Sequence, residues 1–591
     1  DTRGRMTGWL PSAGNGRWVK WRGSNLRANQ HRVVSLIEGT YIYENKFQVK
    51  AKEDLDTINS FIRKSLQRTF KQDDAQRIIS SQIPDGPQRI RGLAGTGKTI
   101  VLSLKAAITH KRLADFKILY LFNTQSLYDH ITTLITKYYT AEAKRPPDFD
   151  GKIHILHAWG GKKRAGLYSE LCKLYGLRPR VWAEVRGLTD PLATIYKDLL
   201  ENTKGRLEPI YDMVLIDEAQ DLPQEVFEVI YKITKDPKRI VWAYDEFQSL
   251  RDMKMKAPSE LFGKDPKGLP NMPNERLSGQ YTGGIDKDFI LPNCYRTPRP
   301  VLMTAHGVAL GLYNDGHGRQ MFDYRGDWEA IGYKVISPNK PKLEANDKVV
   351  LERSEENSKN LLESLIVTKG YKPTDLVNCL KFDTFKTEAE YVAWKVDELI
   401  KKQDVPPGEI IVITLDTRYA EAELKQIRQE LLAFGIDSVI PGFVESSDVF
   451  KVEGKVTLAT PFRAKGNESN VVFVVNCNKT IEDATLRGRN AFFVGVTRSR
   501  GWVYLSGHGP AMERLMAEVE QIKQHFPKFE FVRPSDQEIE QSRRMLDISD
   551  KELNKLDQSF DTLKENPDIL IMQLKNNPEL LEQIMKGLKS E

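Results

Sequence analysis

The sequence predicts an α/β protein whose strands form parallel sheets, and three observations carry this prediction. Residues 92–99 read GLAGTGKT and lie between a short strand pattern and a helical pattern. Residues 213–218 read MVLIDE, which is a buried-type strand followed by two acids. Further apolar strands alternate with helical patterns along the chain, as expected when helices connect parallel strands.

The composition is that of a globular protein with a mild positive charge. The length of 591 residues suggests roughly four domains. Lys and Arg number 88 against 81 Asp and Glu, and the resulting charge of +7 is compatible with a polyanionic partner. No apolar run is long enough to cross a bilayer, so we expect no membrane partner. The N-terminus lacks both an initiator Met and a secretory core, so we expect the chain to begin inside a longer protein.

The cysteines are scattered and form no C-x-x-C pair. This spacing argues against a disulfide framework and against a zinc site, and it favours the reducing cytoplasm as the location. The residues concerned are Cys172, Cys294, Cys379 and Cys477.

Residues 92–99 fit a loop that holds the phosphates of a nucleotide. Glycines let successive backbone N–H groups turn toward phosphate oxygens, while Lys98 reaches the β- and γ-phosphates and the Thr99 hydroxyl binds Mg²⁺. Residues 88–90 can end a strand and residues 100–107 have helical apolar spacing, which is the order that this motif requires. The predicted nucleotide-binding residues of the loop are Gly92, Gly95, Thr96, Gly97, Lys98 and Thr99.

Gln76 precedes this loop within a helical pattern over residues 54–80. Its amide can accept a hydrogen bond from the exocyclic amine of adenine and donate one to a ring nitrogen. Alone, Gln76 would be interpreted as a surface helix residue. Its distance from the loop favours an adenine contact.

Two acids follow the strand at residues 213–216. We predict that Asp217 binds Mg²⁺ and that Glu218 orients the attacking water, as hydrolysis of a nucleoside triphosphate requires. A second strand, at residues 239–245, leads to Gln248, whose amide can contact the γ-phosphate and report its presence to a second domain.

Residues 291–297 read LPNCYRT and supply two more candidates. Tyr295 is placed to stack on adenine, and Arg296 is placed to meet the γ-phosphate.

The order of these motifs resembles that of superfamily 1 helicases of the UvrD/Rep-like branch, over about residues 65–510. Residues 457–468, TLATPFRAKGNE, are similar to the T-x-H-x-x-K-G-x-E motif of that branch. Residues 492–500, FFVGVTRSR, are similar to its V-A-x-T-R-A-R motif.

The resemblance implies two RecA-like domains that share one ATP, with Mg²⁺ as the metal. It also implies that Glu468 contacts the nucleotide sugar and that Arg498 joins Arg296 in clamping the γ-phosphate. The implied activity is that of an ATP-dependent helicase or translocase, an ATP hydrolase that moves 3′ to 5′ on single-stranded DNA, with RNA as an alternative partner.

Single-stranded nucleic acid is expected to cross the carboxyl ends of the strands, where bases stack on aromatic side chains. Phe122 ends one strand and is either a stacking platform or a core aromatic. The full set of predicted nucleic-acid contacts is Phe122, Asn123, His157, Trp159, Thr460 and Phe462.

The predicted organisation has four parts. Residues 1–60 form a β-containing segment, residues 61–290 a first RecA-like domain with a helical insertion at about 160–206, residues 291–530 a second with a small insertion at about 311–380, and residues 531–591 a helical tail. The tail, or a missing N-terminal domain, could hold a protein partner.

Two alternative functions stay open. In the first, the motor serves a nuclease, of which Glu44 and Lys46 would be a remnant; an ordinary solvated strand explains these residues as well. In the second, the chain is an ATP-gated assembly subunit that binds nucleic acid and does not unwind it.

Overall fold

A computed structural model describes residues 8–11, 18–21, 57–68, 74–93, 95–124, 127–160, 164–185, 187–188, 190–245, 256–291, 293–314, 321–358, 360–446, 449–483 and 487–540. The predicted strand that contains Glu44 lies outside these residues. So do Gln248 and nearly all of the predicted C-terminal tail.

The first sheet has six strands, all parallel. A short antiparallel pair precedes it, β1 (Gly8–Pro11) and β2 (Trp18–Trp21), and another, β8 (Gln280–Tyr281) and β9 (Ile285–Asp286), lies before its last strand. The strands of the sheet are β3 (Gln88–Gly92), β4 (Ile118–Phe122), β5 (Ile153–His157), β6 (Met213–Ile216), β7 (Ile240–Tyr244) and β10 (Asp288–Leu291). Their spatial order is β10, β3, β7, β6, β4, β5.

Helices cover both faces of this sheet, which is why β4, β6 and β7 are continuous runs of buried apolar residues. The helices of this part are α1 (Ile58–Arg68), α2 (Asp74–Ser81), α3 (Lys98–Arg112), α4 (Leu127–Ala143), α5 (Leu167–Leu174), α6 (Trp182–Val185), α7 (Pro191–Thr203), α8 (Gln224–Ile233) and α9 (Pro258–Leu261). The crossover between β5 and β6 contains α5, α6 and α7.

The second sheet also has six parallel strands. Its spatial order is β13, β18, β17, β14, β16, β15, and a three-stranded antiparallel sheet of order β11, β12, β19 packs into the same core. The strands are β11 (Lys334–Ser337), β12 (Lys348–Glu352), β13 (Val377–Phe382), β14 (Ile410–Thr414), β15 (Ser438–Val439), β16 (Val456–Ala459), β17 (Ser469–Val475), β18 (Ser499–His508) and β19 (Lys528–Val532).

Helices complete the second part. They are α10 (Arg299–Leu310), α11 (Arg325–Ala330), α12 (Leu361–Thr368), α13 (Phe385–Gln403), α14 (Ala420–Ala433), α15 (Pro461–Ala464), α16 (Lys479–Glu482), α17 (Arg487–Val496) and α18 (Gly509–His525). Two parallel-sheet α/β domains confirm the predicted fold class. Among the described helices, none is long and apolar enough to cross a membrane.

The buried Lys105 of α3 leads to a prediction about the stability of the fold. Burial lowers its pKa from 10.5 to about 7, and its ammonium donates to the backbone oxygen of Gln82. Because the folded pKa lies below the unfolded one, the energetic cost of the buried charge is full below pH 7 and disappears as the pH approaches 10.5. We expect Lys105→Met to raise the free energy of unfolding at pH 7 by about 1–4 kcal/mol.

Thermal unfolding of the variant and the parent at several pH values checks this. The difference in Tm should be largest near pH 7 and should shrink toward pH 10. Lys111→Met is the matched control, because Lys111 lies on the same helix and is exposed beside Glu142. A difference in Tm that stays constant with pH would contradict the assignment of the cost to the charge of Lys105.

Candidate functional site

The predicted phosphate loop joins the end of β3 to the start of α3. Gly95 and Gly97 have φ angles of 80° and 87°, in the left-handed region that favours glycine. Space is also restricted, since a Cβ atom on Gly95 would lie 2.4 Å from Cβ of Arg296, and one on Gly97 would lie 2.5 Å from Nε2 of Gln76. The loop therefore has its tight turn and neighbours on both sides, from α2 and from the second domain.

Lys98 is enclosed within this loop. Its side chain is 6% exposed, and Nζ donates to the backbone oxygens of Gly92 at 2.8 Å and Leu93 at 2.9 Å. Asp245, after β7, places a carboxylate oxygen 3.9 Å from the same nitrogen. The ammonium thus lies where the phosphates would enter, held by backbone acceptors that an anion can replace.

The predicted metal ligands lie side by side. The Thr99 hydroxyl hydrogen-bonds Asp217, and the carboxylate of Asp217 also accepts from the Tyr120 hydroxyl at 3.0 Å and from the backbone N–H of Glu218 at 3.0 Å. Burial, and then the charge of Glu218, raise the pKa of Asp217. A buried carboxylate beside a hydroxyl is a donor set that suits Mg²⁺, whose positive charge would offset the cost of burying the anion.

Glu218 has the opposite electrostatic balance. Burial alone would raise its pKa, but the nearby positive charges of Lys98 and Lys465 outweigh it and the pKa is lowered. Gln220 fixes the side chain, since its Nε2 donates to Glu218 at 2.6 Å while its Oε1 accepts from the backbone N–H of Asp245 at 3.2 Å. Glu218 is therefore an ionised, oriented carboxylate at the end of β6.

Arg296 reaches the loop from the other side of the cleft. Its Nη1 donates to Glu468 at 3.0 Å and its Nη2 to the backbone oxygen of Thr497 at 3.3 Å. Its Nε is buried and has no hydrogen-bond partner among the described residues, although it lies close to Gly95. This orphaned donor beside the phosphate loop is the feature expected of a site that receives an anion.

Arg498 is a second buried cation in the same cleft. Its guanidinium donates to the backbone oxygen of Val494 at 2.9 Å and to the Thr497 hydroxyl at 3.2 Å. Burial, and then the positive charge of Arg296, lower the pKa of Arg498 to about 9. Two like charges that share a desolvated space favour an anion between them, so the residues present fit a bound triphosphate.

The remaining nucleotide candidates surround the loop. Gln76 is buried and its Nε2 donates to the backbone oxygen of Thr96 at 2.7 Å. The backbone N–H of Tyr295 donates to the backbone oxygen of Gly95 at 3.1 Å. Glu468 pairs with Arg296 and also with Arg500. Gln248 lies outside the described residues.

An ion pair between the two domains was missed by the sequence analysis. Lys465 Nζ lies 2.5 Å from Asp221 in a nearly buried contact, and a Cβ atom on Gly466 would lie 3.2 Å from the Leu127 side chain of α4. Asp221 follows Glu218 closely in sequence, and Lys465 follows α15. No local sequence pattern marks either residue as a member of an ion pair. The pair could have been predicted only if the partner of one of them were already known.

The predicted nucleic-acid contacts differ in exposure. Phe122 is completely buried and packs edge-on against Tyr128 and His157, so we do not retain it as a stacking platform. The reason is that β4 is an interior strand with helices on both faces. Phe462 is 57% exposed on α15 and offers a free ring, while Thr460 before it is nearly buried.

Asn123, His157 and Trp159 lie together at the carboxyl ends of β4 and β5. The Asn123 amide donates to the backbone oxygen of Asp221 at 3.3 Å. His157 shares a 2.8 Å hydrogen bond with the backbone oxygen of Asn123, and its other ring nitrogen accepts from the backbone N–H of Trp159 at 3.0 Å. Burial lowers the pKa of His157, in keeping with a neutral ring that accepts at one nitrogen. Its observed contacts hold the loop in place.

Comparison with known proteins found one family. The family model of the UvrD-like helicase C-terminal domain matches residues 455–506. This segment contains β16, β17 and β18 and includes Glu468 and Arg498. The match supports the resemblance to UvrD/Rep-like superfamily 1 helicases. A search of curated proteins found no match.

Proposed function

We propose that this chain, whose residues 455–506 match the UvrD-like helicase C-terminal domain, is a Mg²⁺-dependent ATPase that translocates on single-stranded DNA. The single observation that carries the proposal is the shared cleft. Lys98 of the first domain and Arg296 and Arg498 of the second converge on one loop, and the buried Nε of Arg296 has no hydrogen-bond partner in the described part of the chain.

The residues of the cleft have different roles in ATP hydrolysis. Lys98 exchanges its backbone acceptors for the β- and γ-phosphates, and the lowered pKa of Glu218 keeps its carboxylate ionised so that it can orient the attacking water. Mg²⁺ held by Thr99 and Asp217 would neutralise part of the phosphate charge. Arg296 and Arg498 stabilise the charge that develops in the transition state.

Coupling to nucleic acid passes through the contact between the domains. Lys465 joins Asp221, near the catalytic Glu218, to the segment that presents Phe462. When the γ-phosphate leaves as inorganic phosphate after hydrolysis, the cleft loses the anion that balances Arg296 and Arg498, and this favours domain separation. Movement of α15 relative to β4 and β5 would then shift a bound strand. The polarity, 3′ to 5′, is proposed on resemblance.

The test is ATP turnover titrated with single-stranded DNA, single-stranded RNA and duplex, followed by unwinding of duplexes with a 3′ or a 5′ tail. We expect stimulation by single-stranded DNA and unwinding of the 3′-tailed duplex. Stimulation without unwinding, together with a protein partner that is lost on deletion of residues 540–591, would select an ATP-gated assembly subunit instead. Turnover that no nucleic acid stimulates would contradict the motor proposal.

A further inference from the structure

The helical insertion between β5 and β6 carries an exposed tryptophan. Trp182 of α6 is 60% exposed, and its ring lies edge-on to Trp159 with centroids 5.8 Å apart and planes at 61°. The neighbouring Val181 is exposed as well. A large aromatic ring that faces solvent from a short helix is poorly explained by core packing, and it suggests a ligand-binding surface.

Hydrogen bonds join this tryptophan to the end of the first sheet. Trp159 Nε1 donates to the backbone oxygen of Arg180 at 3.3 Å, and the backbone N–H of Arg180 donates to the Tyr168 hydroxyl at 3.1 Å. On the other side, the backbone N–H of Trp159 donates to the ring of His157, which in turn is hydrogen-bonded to the backbone oxygen of Asn123. The segment before α6 is therefore fixed relative to β4 and β5, and Trp159 acts as a positioning residue for Trp182.

Exposed cations flank the tryptophan. Arg178 pairs with Glu184 at 2.6 Å and Arg180 with Asp198 at 2.8 Å, and the two arginine side chains are 82% and 46% exposed, respectively. Exposed ion pairs of this type contribute little to stability. A phosphate can therefore replace the carboxylate as the partner of the guanidinium group at a small cost in free energy. An aromatic face between exchangeable cations has the chemistry that binds single-stranded nucleic acid without regard to sequence.

We propose that Trp182 stacks on an unpaired nucleobase and extends the nucleic-acid path from the ends of β4 and β5 onto the insertion. This inference rests on the proposed function. A protein partner would use the same apolar area, but Trp182 contacts Trp159, whose backbone N–H is hydrogen-bonded to His157 at the carboxyl end of β5, where the proposed single strand would cross the sheet. This connection to the end of the sheet, together with Arg178 and Arg180, favours a nucleobase as the occupant.

The experiment measures binding of fluorescently labelled oligodeoxythymidine to the full chain by anisotropy. Trp182→Ala should raise Kd by roughly 5- to 150-fold, the range expected when one base–aromatic stack is lost. Trp182→Phe should restore most of the affinity, because a phenyl ring still stacks. Trp394→Ala is the matched control, since Trp394 is 49% exposed on α13 and has no place in the proposed path.

Three readouts separate the outcomes. ATP turnover without nucleic acid and Tm should be the same in the parent and in Trp182→Ala, which shows that the fold and the cleft are intact. If the parent binds the oligonucleotide and Trp182→Ala binds it equally well, the stacking proposal is wrong while the motor proposal stands. If the parent does not bind single-stranded DNA or RNA at all, both proposals fail.

Discussion

Replacing Arg498 with alanine is expected to lower kcat for ATP hydrolysis by about 10³- to 10⁵-fold, the range measured for arginines that contact a transferring phosphoryl group. Arg498 is buried beside Arg296, with burial and that like charge lowering its pKa to about 9. Arg296 pairs with Glu468, whereas the positive charge of Arg296 opposes that of Arg498, so we expect Arg498 to be stabilised by the negative charge that develops at the phosphate during hydrolysis. Arg296→Ala should behave in the same way.

Measuring the affinity for ATP distinguishes a role of Arg498 in the hydrolysis step from a role in ATP binding. Because Lys98 and the loop backbone remain, Kd for a fluorescent ATP analogue should change far less than kcat in either variant. The double variant should lose little more than each single one, since the two guanidinium groups act on the same charge. Arg428→Ala is the control, because Arg428 is also a half-buried arginine in an ion pair, but its partner Glu445 is not one of the proposed cleft residues. Equal losses of binding and turnover would refute the assignment.

The cleft was largely accessible to prediction because its chemistry is local in sequence. The loop at residues 92–99 lies between β3 and α3 as its glycines and flanking patterns indicate, and MVLI forms β6 directly before Asp217. Both features depend on neighbours a few positions away. The match at residues 455–506 supports the resemblance that placed Glu468 and Arg498.

Other features depend on partners far apart in the chain, and no local pattern reveals them. Gln220 positions Glu218 only because β7 brings the backbone of Asp245 beside it. Within the predicted insertion of the second domain, β11 and β12 join β19, which follows α18 near the end of the described chain. For a related reason the sequence leaves Phe122 open between a stacking platform and a core aromatic: a strand-end aromatic is exposed or buried according to the helices that cover the strand.

Lys98→Ala should abolish ATP turnover, with a loss of at least about a hundredfold by comparison with the removal of one preorganised donor. Lys98 is the only cation that the loop itself supplies among the described residues. Its Nζ already donates hydrogen bonds to the backbone oxygens of Gly92 and Leu93. Without it, the β- and γ-phosphates lose a charge-assisted donor in both the ground state and the transition state, so ATP affinity should fall together with kcat. Arg498→Ala, by contrast, should lower kcat far more than it lowers the affinity for ATP.

Thermal shift gives a readout that does not depend on turnover. A ligand that binds only the folded chain raises Tm by mass action, so Mg²⁺ and ATP should raise Tm of the parent and of Lys111→Ala but leave Lys98→Ala almost unchanged. Lys111 is the matched control because it lies on the same helix and is exposed. If Lys98→Ala retained both the Tm increase and turnover near that of the parent, the loop would not be the phosphate site, and the convergence of Arg296 and Arg498 on it would need another explanation.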